Sequence, residues 1–304
     1  MNEQEINLLK KSGEISFKSH KFAQKIFKPG KDICKLGKQI DDYIIEQGAF
    51  PAWPVNLSLN NQAAHSSYDL EKEIILKEDD VLKVDLGVSL DGYITDSSQT
   101  IIFNKKHEKL KESTTKALSN SKTFLEENYK SAKIKDIGKI VQETIKSYGF
   151  KPISNLTGHF LSRNVVHATP SIPNTVNDIS YKFSDFKENF AIEPFATTGS
   201  GFVNEGSQIL IFEYLEDKPI RNKDAKKILE EIKSFQNRPF SEYWVGKDMS
   251  SFSRKFALRE LLKSEIIGAY PVLVDIKGSY VSQAETTFII TKDGLIDLVG
   301  IDNI

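Results

Sequence analysis

One stretch, Val81 to Phe103 (VLKVDLGVSLDGYITDSSQTIIF), constrains the fold of this 304-residue chain more than any other. Val81, Lys83 and Asp85 alternate with Leu82, Val84 and Leu86, Leu90-Asp91-Gly92 supplies turn chemistry, and Thr100-Ile101-Ile102-Phe103 closes a second run, so the spacing predicts a β-hairpin. Asp85 and Asp96 then lie on neighbouring strands. A carboxylate inside an apolar strand is costly to bury unless a positive charge meets it, and two of them close together call for a cation. A metal ion is the simplest one. Were the hairpin alone, a solvent-facing Asp and a capping Asp would be the readier reading.

The remainder of the chain supplies two helical halves. Residues 3 to 28 carry Leu8, Ile15, Phe22 and Ile26 at helical spacing and stop at Pro29-Gly30, and a second helix runs from about Asp32 to Gly48. Ala49 to Pro54 is extended, because each residue before a proline is pushed out of the helical region. After the hairpin, helices are expected from about Lys105 to Asn128 and from Ile134 to Tyr148. The last of these repeats the second helix at a constant offset, with Ile33, Gly37, Lys38, Ile44 and Gly48 answered by Ile134, Gly138, Lys139, Ile145 and Gly149. A site between two such halves would draw ligands from both. From about Asp217 to Ala269 the chain turns charged and helical, as an insertion would, before strand signals return at Tyr270 and at Tyr280.

Composition matters mainly for what it excludes. Forty-one Lys and Arg nearly cancel 42 Asp and Glu, so no global field favours nucleic acid or an anionic membrane. Neither a signal-like N-terminus nor a bilayer-length apolar run is evident, which predicts a cytoplasmic protein without a membrane partner. Cys34 is the single cysteine, ruling out intramolecular disulfides and thiolate-rich metal sites, and it is expected to pack within a helix. His20 and His107 sit in charged helical surroundings and are expected to be solvated, as is the Lys226-Lys227 helix face.

Five candidate ligands fall in strand or strand-edge contexts: Asp85, Asp96, His159, Glu193 and Glu285. Four carboxylates and one imidazole make a hard, oxygen-rich site suited to one or two divalent ions such as Mn, Fe, Co or Zn. Such a site supports metal-assisted hydrolysis, with peptides or amides the natural substrates. Taken singly, a His beside a Gly or a strand Glu such as Glu285 is more often a loop or solvent-facing residue.

With these residues placed, the chain resembles the pita-bread metallopeptidases, and among them the type II methionine aminopeptidases. The resemblance spans PAWPVNLSLNNQAAH ending at His65, VDLGVSLDGYITD, NLTGHFLSRNVVHATPSIPN around His159 and His167, AIEPFATTGSG around Glu193, and YPVLVDIKGSYVSQAETT around Glu285. The long interval between Glu193 and Glu285 matches the type II helical insertion, and the short stretch before the first helix is similar to the archaeal form. This implies an α+β pita-bread fold: a pseudo-two-fold antiparallel sheet covered by helices, one catalytic domain over residues 1–304 with a winged-helix-like insertion at 217–269. Removal of the N-terminal methionine from nascent proteins with a small second residue is the implied activity, by a monomer with the ribosome as a further candidate partner.

By the same resemblance, Asp85 would chelate one of two metal ions, Asp96 and Glu285 would bridge both, and His159 and Glu193 would complete the second. Glu193 would also shuttle a proton to the leaving amine. His65 and His167 would stabilise the tetrahedral oxyanion or position the scissile bond, and Trp53, Val166 and Tyr270 would form the methionine pocket. Fumagillin-type epoxides alkylate the histidine that His65 matches. The chain departs from the family at Trp53, Asn164, Thr169, Ala284 and Thr286, where Phe, Tyr, Gly, Phe and His are usual. Two other readings remain open at this stage: a prolidase or aminopeptidase P, and a non-catalytic member that binds RNA or the ribosome.

Overall fold

A computed structural model describes residues 1–301. The first half opens with helices α1 (Glu3–Ile26) and α2 (Ile33–Glu46), followed by strands β1 (Phe50–Pro51), β2 (Asn56–Leu59), β3 (Gln62–Ala64), β4 (Val81–Leu90) and β5 (Tyr93–Ile102). The second has α3 (Glu108–Asn128), α4 (Ile134–Ser147), β6 (Lys151–Pro152), β7 (Thr157–Ser162), β8 (Val165–Pro173), β9 (Asn189–Ile192), β10 (Phe195–Thr197) and β11 (Asn204–Tyr214). Next come α5 (Lys223–Lys233), β12 (Phe240–Ser241) and α6 (Ser251–Lys263), then β13 (Ile267–Val274), β14 (Val281–Gln283), β15 (Thr286–Thr291) and β16 (Gly294–Asp297).

The internal repeat extends beyond the helices. At an offset of 101 residues, α2 maps on α4, Phe50-Pro51 on Lys151-Pro152, and the first residue of β2 on that of β7. Gly48 and Gly149 close the two helices with φ of +81° and +85°, the left-handed conformation that only glycine adopts without cost. In the first half, Ile40 and Ile44 of α2 bury against Val84, Leu86 and Val88 of β4, while in the second Ile137 and Val141 of α4 join Phe160, Phe190 and Phe288. These two cores are the antiparallel sheet layers under their helix pairs.

The central hairpin forms as predicted, β4 and β5 pairing antiparallel from Val81↔Ile102 to Leu90↔Tyr93. Its two turn residues, Asp91 and Gly92, both have positive φ (52° and 83°), as a two-residue turn matched to strand twist requires. The halves meet where β5 bridges to the β14–β15 junction: Ser98 and Glu285 exchange backbone hydrogen bonds, and the Thr287 hydroxyl donates to the Asp96 carbonyl at 2.7 Å.

Two histidines correct the sequence-based expectation. His20 is fully buried, its Nε2 3.0 Å from Ser97 Oγ and its Nδ1 accepting from Gln99 Nε2 at 3.0 Å. The reason is that α1 lies on β4 and β5 through a face of small polar residues, Ser12, Ser16 and Ser19, which hydropathy does not distinguish from a wet one. Gly13 lies on the same helix, and a Cβ there would sit 1.9 Å from the Leu298 carbonyl oxygen. His107 is also buried, its Nε2 donating to the Asp79 carbonyl at 3.2 Å and its ring 4.3 Å from that of Tyr280. Cys34 packs inside α2, and Lys226 and Lys227 are exposed, both as expected.

The segment expected to be an insertion leaves the end of β11 and returns through β13, which pairs with it (Phe212↔Ala269, Tyr214↔Ile267), so residues 267–269 already belong to a strand. Helices α5 and α6 share their own core of Ile228, Ile232, Phe240, Leu258 and Leu261. Several contacts join it to the first half: the Trp244 indole N–H donates to the Tyr68 hydroxyl at 3.0 Å, which in turn donates to the buried Asp41 at 2.7 Å, the Tyr243 hydroxyl donates to Asp69, and Lys255 pairs with Glu71. Among the described residues, no helix is long and apolar enough to cross a membrane.

Candidate metal centre and substrate pocket

Strand register explains why ligands distant in sequence converge. Asp96 stands opposite Gly87, two residues beyond Asp85, so both carboxylates occupy one face of the hairpin. Between them Gly87 leaves room for the Trp53 indole, two of whose ring carbons would lie 2.3 Å from a Cβ at that position. On the facing sheet, β9 pairs with both β7 (His159↔Ala191) and β15 (Thr286↔Ile192). Glu193 and Glu285, one step past that last pair, therefore come side by side near His159.

All five sequence-predicted ligands are thus gathered in one place. Ligand atoms of Asp96, His159 and Glu285 lie within 4.8 Å of one another. His159 Nε2 is 3.3 Å from Asp96 Oδ2 and 4.0 Å from Glu193 Oε1. Gln283 closes the set, its Nε2 3.2 Å from Asp85 Oδ2, 3.2 Å from Glu285 Oε2 and 3.5 Å from Glu193 Oε2.

Two buried carboxylates, Asp96 and Glu285, and two half-buried ones, Asp85 and Glu193, repel one another, with no Lys or Arg among the described residues that line the site. Burial, then Asp96, Glu193 and Asp85, drive the Glu285 carboxyl well above the usual range. Burial with Asp96 and Asp85 does the same to Glu193, burial with Asp96 raises Asp85, and burial takes Asp96 up to about 8. Asp85 Oδ1, Asp96 Oδ1 and Glu285 Oε1 are buried without a hydrogen-bond partner. Burial keeps His159 neutral, lowered to about 4, and its Nδ1 donates to the Phe160 carbonyl at 3.1 Å, so Nε2 presents its lone pair to the carboxylates. Orphaned anionic oxygens and an oriented imidazole are the donor set that a divalent ion completes.

Above this floor opens a cavity of about 390 Å³ walled by Trp53, Val166, Phe195, Ile211, Pro239 and Tyr270, with His65 and His167 also lining it. His65 holds φ of 62°, an uncommon conformation for a non-glycine residue. Its Nδ1 donates to the Pro271 carbonyl at 3.2 Å, its ring meets Tyr270 edge-on at 5.2 Å, and burial followed by His167 lowers it to about 4. His167 stands 4.8 Å from the His159 ring and is lowered to about 3 by burial and then by His159. The Tyr270 hydroxyl donates to Glu213 Oε2 at 2.7 Å, anchoring that wall to β11.

Comparison with known proteins agrees with this geometry. The family model "Metallopeptidase family M24" matches residues 7–213, more than half of the chain. The chain belongs to this family. A methionine aminopeptidase of Pyrococcus abyssi is 40% identical over 294 residues, covering 96% of this M24 chain and 98% of the relative. Among solved structures, a thermophilic Arx1 superposes with a TM-score of 0.85 at 17% identity, over 98% of this chain and 91% of that one. A methionine aminopeptidase from Thermotoga maritima superposes with a TM-score of 0.69 at 19% identity, over 98% of both chains. The M24 fold is therefore the pita-bread α+β architecture, and membership implies divalent metal ions.

Sequence reasoning about this M24 site missed Gln283, although a signal was present: two residues before Glu285 on an extended segment, it must share that residue's face. It also missed Ile211 and Pro239, wall residues that no local pattern ties to the pocket.

Proposed function

We propose that this M24 enzyme is a methionyl aminopeptidase that uses two divalent ions to remove the initiator methionine from nascent chains with a small second residue. The observation that most supports this reading is the apolar cavity set directly over the five-ligand floor, which would hold an unbranched side chain beside the hydrolytic centre. Asp85, Asp96, Glu285, His159 and Glu193 would hold the ions, of Co, Mn, Fe or Zn. Bound there, they would activate water and polarise the scissile carbonyl.

The chain's own residues do the rest. Glu193, whose carboxyl burial and Asp96 raise, is suited to carry a proton to the leaving amine. His65 donates through Nδ1 to Pro271, so its neutral ring offers Nε2 as an acceptor and can position the scissile N–H. No hydrogen bond to a described residue fixes the tautomer of His167, which can donate to the developing oxyanion. Trp53, Val166 and Tyr270 form the methionine walls with Pro239 and Ile211. Metal-reconstituted enzyme is expected to cleave Met-Ala-Ser, to spare Met-Lys-Ser and to leave Ala-Pro intact; preference for Ala-Pro would make it a prolidase instead.

We further assign residues 1–304 to one cytoplasmic, monomeric catalytic unit in which the 217–269 insertion has two uses. It supplies Pro239 to the pocket. It also carries twelve Lys and Arg against eight Asp and Glu, in a chain whose total is −1, so the remainder is acidic. On α6, Phe252, Phe256, Arg259 and Lys263 recur on one exposed face, an aromatic and basic stripe that suits ribosomal RNA. The double variant Arg259→Glu, Lys263→Glu is expected to lose salt-sensitive co-sedimentation with ribosomes; equal binding by wild type and variant would remove this stripe from the contact.

A further inference from the structure

Two walls of the pocket come from segments far apart in the sequence. Trp53 ends the extended Phe50-Pro51-Ala52 stretch of the first half, and Pro239 ends the turn that follows α5 in the insertion. Strand β1 pairs with β4 along one edge, where the Ala52 N–H donates to the Gly87 carbonyl, and this turns the Pro51 carbonyl away from the sheet. Arg238 meets it there.

The Arg238 guanidinium donates through Nη1 to the Pro51 carbonyl at 3.0 Å and through Nε to the Phe235 carbonyl at 2.9 Å, while its plane lies over the Phe50 ring at 5.1 Å. One side chain thus ties the residue two before Trp53 to the turn that delivers Pro239. That turn needs holding: Gln236 and Asn237 are consecutive non-glycine residues with φ of 54° and 68°. Its other tie is weaker, Asn164 Nδ2 donating to Gln236 Oε1 at 3.2 Å on the exposed rim. A lysine could satisfy one carbonyl but not the fork and the stacked plane together.

We propose that Arg238 is a positioning residue for substrate specificity, a clamp that holds the Trp53 and Pro239 walls at the spacing a straight thioether side chain fills. It touches neither metal ligands nor the reacting bond, so its effect falls on binding of the first residue. This rests on the methionine-pocket reading above.

The test uses metal-reconstituted full chain. Arg238→Ala is expected to raise KM for Met-Ala-Ser by about tenfold, the scale of a lost hydrogen bond to a charged group, and to narrow the preference over Leu-Ala-Ser. kcat should stay within about twofold and metal content should be unchanged. Arg238→Lys should fall between, and serves if the alanine variant does not fold. The chain has two tryptophans, so in a Trp244→Phe background the emission reports Trp53 alone, and Arg238→Ala should shift it to the red. An unchanged KM, an unshifted emission, or a fall in kcat at constant KM would each overturn the clamp. If wild type fails on Met-Ala-Ser the pocket reading falls, and the Trp53 emission still decides whether Arg238 fixes the wall.

Discussion

Asp96→Asn and Glu285→Gln are each expected to abolish turnover and to lower metal occupancy. Asp96 and Glu285 have ligand atoms within 4.8 Å of each other and of His159, and both retain a buried oxygen without a partner. The amide variants keep shape and hydrogen-bonding capacity but remove one negative charge from a site whose cations it would neutralise. Breaking up a buried charge set by removing one member costs ~3–5 kcal/mol. At 1.36 kcal/mol per decade that is roughly 10²–10⁴ in ion affinity.

A second readout separates lost metal from lost fold. In metal-free protein the Asp96 carboxyl stays protonated up to about 8, while in the unfolded chain it ionises near 3.8. Its folded value is raised, so stability is full below about 4 and declines as pH rises toward 8. Asp96→Asn should lessen that decline without abolishing it, because Asp85, Glu193 and Glu285 are raised as well, and thermal melts in chelator across this window would measure the difference. Full metal content and normal turnover in both variants would dismiss the two-ion assignment; a pH profile identical to that of wild type would mean that burial does not raise the Asp96 carboxyl.

The metal centre was legible because its chemistry is written in strand periodicity. Asp85 interrupts an apolar strand and Asp96 sits across the Asp-Gly turn on its partner, on the same face, where two carboxylates call for a counter-charge. The repeat of α2 in α4 likewise predicted two halves with a site between them. What escaped was decided by contacts distant in sequence. His20 looked solvated because α1 meets the sheet through serines, and only the packed structure shows Ser12 and Ser16 bonded to Thr95 on β5. Pro239 reaches the pocket, and Arg238 beside it braces the wall from behind, because an insertion folds back on Phe50 and Pro51, nearly two hundred residues earlier. Gln283 lies between these cases: its face could be counted from Glu285, but its service to three carboxylates at once depends on the pairing of β9 and β15.

His167→Ala is expected to lower kcat by about 10²–10³, or roughly 2.7–4 kcal/mol, as for one oxyanion donor, with metal content retained. His65→Asn should fall less, because His65 is held as an acceptor and not a donor: its Nδ1–H is committed to the Pro271 carbonyl at 3.2 Å. A neutral hydrogen bond that orients the scissile amide is worth ~0.5–1.5 kcal/mol, or about a tenfold loss at most. The same geometry makes His65 the better nucleophile. Burial lowers it to about 4, so at neutral pH Nε2 carries a free lone pair on a ring fixed by Tyr270 and Pro271. A fumagillin-type epoxide should therefore add to His65 in the wild type and in His167→Ala, and not in His65→Asn, as intact mass would show. The indole of Trp53 packs over Gly87, while His65 lines the cavity beside Tyr270. Equal kinetic losses in the two variants would mean that the histidines share the oxyanion. An adduct that survives in His65→Asn would move the nucleophile to His167 and reverse the donor and acceptor roles assigned here.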